Sequence, residues 1–292
     1  MNYTPPPVAH AVPTSTEDAV LTRTRALCQR RILWLEHLAS AAAAEPTLQS
    51  VQSRVLLDVA APDAEAAFLA AHPESRAWLD TADACESWLM EEGDNRLRHL
   101  AMALQLDTAE TRLVQLCLAH RIDPSLGHIF ARLSGDDAQR GPTEHLAARL
   151  NGYGRAAMWG PATALSRWCV LHASDATGQL DLDPFILSYL RGGSEVDPDL
   201  LGRCMGMNDP PNALTAWPVR EVSERVISAL GRGTPARIQV IGGPLNGRKT
   251  FAANVSETLG RPLFVVDTDH VDPGQWAHTR MLVQRQALLH NA

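Results

Sequence analysis

IGGPLNGRKTFAANVSETLGRPLFVVD, residues 241–267, decides how the C-terminal part of this chain is read. Arg237 to Ile241 is an apolar run that predicts a buried strand, and Leu263 to Asp267 is a second one. Between them lie a glycine-rich loop, a helical stretch to Leu259 and a Gly260-Arg261-Pro262 turn, so the order is strand, loop, helix, strand, the βαβ pattern. A loop that holds phosphate needs glycines so that successive N–H groups can curl around oxygen. It also needs a helix N-terminus aimed at the anion and a cation within reach. Gly242 and Gly247 have the glycine spacing of G-x-x-x-x-G-K-[ST], with Arg248 at the lysine position and Lys249 at the hydroxyl position. Sliding the frame by one residue makes Lys249-Thr250 the K-T pair but puts Arg248 where the second glycine belongs, and arginine does not adopt φ > 0 cheaply. The first frame is preferred. It assigns Arg248 and Lys249 to the phosphates, the amides from Gly243 to Gly247 to the cradle, and Thr250 to a spare hydroxyl.

Outward from this motif, a helix is expected over Glu221 to Leu230 and another from Pro273 onward, which gives an α/β module over 218–292. Residues 193–217 are rich in Gly, Pro, Asp and Asn and read as a linker. Residues 96–192 carry short helices opened by Asp107-Thr108, Asp123-Pro124 and Gly141-Pro142-Thr143, with a further helical piece around 161–167. Trp168 to Leu171 and Gln179 to Leu182 can then pair as a hairpin, and Asp183-Pro184 opens a last helix, so helices plus a hairpin resemble a winged helix. Residues 17–95 read as α-helical: a Thr14/Glu17 capping box opens a long helix, and pieces follow at 47–60, 62–71 and 74–90. Residues 1–16, with four prolines, read as a disordered tail. The expected fold is thus an α-helical region with a winged helix, followed by a partial α/β P-loop module.

The chain has 292 residues, 45% hydrophobic and 20% charged, which is enough to bury two cores without metals or disulfides. A formal charge of −7 argues against broad binding to nucleic acid or anionic lipid. Five scattered cysteines without C-x-x-C, and histidines without H-E-x-x-H, give no disulfide framework and no metal site. Reduced thiols in a cytoplasm are expected. No run of about 18 apolar residues occurs, so no membrane association is expected. Lys249 is the single lysine among the 26 basic residues, which singles out the loop again. Asp267 and Asp269 end the second strand and read as a polar cap on the Pro273 helix, with a carboxylate for a small P-loop kinase as the sharper alternative. If residues 142–150 form a recognition-type helix, Glu144, His145 and Arg149 face outward, a mixed charge set that suits a protein partner better than DNA. No catalytic residue is assigned.

The run 241–267 is similar to the P-loop region of AAA+ ATPases, in particular a divergent bacterial group encoded beside contractile injection systems, whose loop commonly reads G-P-x-G-x-G-R-R-T. LCLAHRIDPSLGHIFARLSGDDAQRGPTEHLAARL, residues 116–150, resembles the winged-helix region of that group, so the resemblance covers roughly 96–292. Leu245 replaces the family's middle glycine. The resemblance implies ATP and Mg²⁺ at Gly242, Gly243, Gly247, Arg248, Lys249 and Thr250. It also implies protein partners, a homo-oligomer if the whole module is present, and a role in assembling or remodelling a protein complex. The family's Walker B acid, sensor, arginine finger and lid have no counterpart up to Ala292, so this chain alone is not expected to hydrolyse ATP. The rival reading is a winged-helix interaction or DNA-binding module with a vestigial P-loop.

Overall fold

The computed structural model describes residues 13–44, 62–91, 95–154, 156–174, 177–207, 212–232, 236–243, 245–269 and 271–292. The chain divides into two compact units, Met1–Gly192 and Gly193–Ala292. The helix expected over 47–60 lies outside the described residues.

The first unit is built on α1 (Thr16–Ala44), whose start differs by one residue from the expected box: Ser15 Oγ accepts from Asp18 N and the Asp18 carboxylate accepts from Thr14 N. Either pair satisfies two orphan amides, and three hydroxyl residues in a row leave the frame undecided in sequence. Against α1 pack α2 (Pro62–Ala71) and α3 (Pro73–Glu91), each opened by the proline that fits a first helical turn. Beyond them come α4 (Arg96–Leu104), α5 (Thr108–Ile122), α6 (Leu126–Ser134), α7 (Glu144–Leu150) and the one-turn α8 (Ala164–Arg167). The hairpin of β1 (Leu171–Ala173) and β2 (Leu180–Leu182) leads into α9 (Pro184–Leu190), capped by Asp183. Its first strand starts at Leu171 rather than Trp168, because Cys169 adopts φ +47 and turns the chain.

Two ion clusters, one buried and one half-buried, fasten the N-terminal helices to the later ones. Glu65 of α2 accepts from Arg31 Nη1 of α1 at 2.7 Å and from Arg149 Nε of α7 at 2.9 Å, all three side chains being at most 7% exposed. Glu86 of α3 binds Arg112 of α5 through both oxygens and also Arg23 of α1, which reaches Asn151 Oδ1 at 2.8 Å. Burial pushes the Glu86 carboxyl up, but the hydrogen bonds and charges of Arg112 and Arg23 outweigh it and leave it below its ordinary value.

The second unit contains a 3-10 turn (Pro198–Leu200), β3 (Cys204–Met207), α10 (Val219–Gly231), α11 (Arg248–Thr258), β4 (Leu263–Val266), a second 3-10 turn (Pro273–Gln275) and α12 (Trp276–His290). Two expectations change here. Within residues 193–217, read as a linker, the turn at 198–200 and β3 pack into the unit. Leu200 and Cys204 share its core with Leu282, and the fully buried Arg285 of α12 is paired with Asp197. Gly, Pro and Asp mark turns, and turns can sit against a helix as well as between domains. The strand expected over 237–241 forms no sheet pairing among the described residues, and Ile238 and Ile241 are exposed. Instead, β4 pairs antiparallel with β3, Cys204 opposite Val266 and Met207 opposite Leu263. An apolar run states that a segment would gain from burial, whereas the sheet is decided by which neighbour reaches it first.

Candidate functional site

The glycine loop runs from Gly242 into the first turn of α11. Gly247 is the helix N-cap residue at φ +72, and no side chain caps the first N–H groups among the described residues. A glycine there is required twice over: the conformation is left-handed, and an added Cβ would lie 2.6 Å from Cη2 of Trp217. The loop closes on itself, with the Asn246 side chain and Cδ of Arg248 both near Gly242. Leu245 also sits at φ +64, with its side chain wholly exposed, where a branched side chain is strained. Pro244 lies outside the described residues.

Arg248 and Lys249 are exposed, and neither forms an ion pair among the described residues. Thr250 is half-buried and its carbonyl accepts from Asn254 Nδ2 at 2.8 Å. Gly242, Gly243, Gly247, Arg248, Lys249 and Thr250 therefore stand on one continuous loop and helix start. The positive end of the helix dipole and two cationic side chains share that place, a combination suited to an anion.

Asp267 and Asp269 are not the cap of the helix that follows. Asp267 Oδ1 accepts from Asp269 N at 3.1 Å within their own turn, and Asp267 N donates to Arg203 O. The 3-10 turn that precedes α12 is capped by Asp272, whose Oδ1 accepts from Gly274 N at 2.8 Å. Adjacent aspartates made the choice ambiguous in sequence.

In the first unit, the hairpin is extended by a bridge between Thr143 and Gln179, with Leu180 N donating to Pro142 O at 2.7 Å. This makes the order helix, short strand, helix, helix, hairpin. Residues 142–150 are accordingly not a free recognition helix. Arg149 is buried on Glu65, and Glu144 Oε1 accepts from Met158 N at 2.7 Å and Trp159 N at 2.9 Å, which leaves His145 as the exposed member of the three. The helix that leads into the hairpin is α8, of four residues. On the hairpin, Asp181 is paired with Arg121 of α5, and His172 Nε2 lies 3.3 Å from the Asp183 carboxylate.

Residues 84–203 match the family model described as "Winged helix domain, variant". The matched winged-helix region begins within α3 and runs past Gly192 to Arg203, so it takes in the whole of α4 to α9 and the hairpin. No curated protein and no solved structure matches the chain. Among the described residues no helix is long and apolar enough to cross a membrane.

Trp217 is the residue that sequence reading missed. It lies thirty positions before Gly247, in a stretch of turn-forming residues, and no local pattern announces that its ring reaches the loop.

Proposed function

We propose that this chain binds the phosphates of ATP through residues 242–250 and offers its winged-helix region to protein partners. One observation carries the first half: a helix start without a side-chain cap among the described residues, entered through a left-handed glycine, with Arg248 and Lys249 beside it. Backbone N–H groups of Gly243 and of Leu245 to Gly247 would face the phosphates, the two cations would neutralise them, and Thr250 is the hydroxyl at hand for Mg²⁺ brought in with the nucleotide. The resemblance to AAA+ ATPases of contractile injection system clusters supplies the identity of the ligand and the setting, assembly or remodelling of a protein complex. Hydrolysis is not part of the proposal, since the sequence up to Ala292 offers no counterpart of the family's Walker B acid, sensor or arginine finger.

The second reading is an interaction module with a vestigial loop. It draws support from the strand over 237–241 that finds no partner among the described residues, and from Leu245 in a left-handed conformation. Burial of Arg149 and the use of Glu144 as a backbone acceptor favour a protein over DNA as the partner of the winged-helix region. Equilibrium binding of a fluorescent ATP analogue, with and without Mg²⁺, separates the readings. Under the first, Arg248→Ala and Lys249→Ala each weaken binding by about tenfold or more, the worth of one charge-assisted hydrogen bond. No binding by the unaltered chain at millimolar nucleotide would overturn the first and move the second ahead.

A further inference from the structure

Trp217 stands immediately before Pro218, the residue that opens α10, and a turn holds it in place: Trp217 N donates to Leu214 O and Val219 N donates to Trp217 O, both at 2.9 Å. Its indole meets two residues of the loop-helix segment. Cη2 and Cζ2 lie 2.6 and 2.8 Å from where a Cβ on Gly247 would be, and the ring stands edge-on to Phe251 with centroids 5.9 Å apart. Gly247 and Phe251 are themselves joined, because Phe251 N donates to Gly247 O at 2.8 Å in the first hydrogen bond of α11. One aromatic ring thus touches both residues that this bond joins. Phe251 is nine-tenths buried, so the contact has a firm side and an open side.

A left-handed glycine is the most pliable residue a chain can use, and left alone it would sample many directions for the N–H groups that follow it. The indole restricts that freedom by filling the space beside Gly247 that a side chain would take. Two effects coincide: side chains are excluded at 247, and α11 is tied through Phe251 to the turn that opens α10. A loop with its donors fixed before the ligand arrives binds more tightly than one that must order itself.

We propose that Trp217 is the positioning residue of the phosphate loop, holding Gly247 in the conformation that aims the first N–H groups of α11 at a nucleotide phosphate. The inference rests on the reading of residues 242–250 as a phosphate loop, and its test has one arm that needs no ligand. Hydrogen exchange of the Phe251 to Val255 amides is followed in the unaltered chain, Trp217→Phe and Trp217→Ala, with the amides of α12 as the internal reference for folding. Affinity for ATP with Mg²⁺ is measured on the same three proteins. The alanine variant is expected to speed exchange at Phe251 to Val255 at least tenfold with α12 unchanged, and to weaken ATP binding about tenfold. The phenylalanine variant, which keeps a ring against Gly247, is expected to stay within threefold of the unaltered chain in both. Equal behaviour of the alanine variant and the unaltered chain overturns the proposal, as does a phenylalanine variant as impaired as the alanine one. If the unaltered chain binds no ATP, the phosphate-loop reading fails, and with it the nucleotide-aiming role; the exchange arm alone then decides whether Trp217 braces Gly247.

Discussion

The two units treat their apolar residues differently. Of the eleven large hydrophobic side chains that stand exposed among the described residues, ten belong to the second unit, among them Ile227, Leu230, Ile238, Ile241 and Leu245, whereas the first exposes only Met102. In the first unit each amphipathic helix meets a facing helix, and even charged groups are drawn inside and paired, as at Glu65 and Glu86. In the second, an apolar groove of about 480 Å³ is lined by Val226, Ile238, Val240, Val255, Leu263 and Phe264 among others. Hydrophobic composition alone does not make a core: the geometry must bring a second surface to the first.

The contrast can be tested most forcefully at Glu65. Glu65→Ala leaves Arg31 and Arg149 buried without their shared carboxylate, and the expected loss is about 3–5 kcal/mol of first-unit stability. Urea unfolding read by hydrogen exchange distinguishes the units, and α12 is expected to keep its protection. Concerted loss in both would break the division into two cooperative bodies. A smaller effect is expected from Leu282→Ala, which opens the sparse core shared with Leu200 and Cys204 and costs about 2–3 kcal/mol, confined to the second unit.

Acidification gives a weaker and more selective probe. The Glu86 carboxyl lies below its ordinary value of 4.5 in the folded chain, since Arg112 and Arg23 outweigh its burial. Its stabilising contribution is therefore complete above pH 4.5 and is lost as pH falls through the lowered folded value. The urea midpoint of the first unit is expected to decline below that pH. Glu86→Gln should flatten part of the decline and leave the second unit's profile unaltered. The smallest effect is expected at Leu245, where glycine relieves a left-handed leucine: Leu245→Gly should raise second-unit stability by about 0.5–1 kcal/mol in a thermal melt, and a fall instead would show that the side chain is held by a contact.

The helices of the first unit were legible because their signals are local. Asp107, Thr143 and Asp183 all cap the helices they were expected to open, and the hairpin follows in the expected order. What sequence could not convey was pairing over distance. Arg149 looked like a surface cation because the residue that neutralises it is 84 positions away, and β4 took a partner from a stretch whose composition marked a linker. The glycine loop and the helix after it were legible from spacing, while the aromatic ring that supports them was not, since side-chain reach carries no periodic signature.

Lys249 stands exposed at the second position of α11, and the other basic side chains of these 292 residues are arginines. Any chemistry specific for a primary side-chain amine, acylation above all, therefore has one address here, and it is the loop. Acylating that nitrogen removes a positive charge while leaving the glycines and the helix start untouched. One of the two cations beside the helix start can thus be removed by a single covalent step, with Arg248 left as the other.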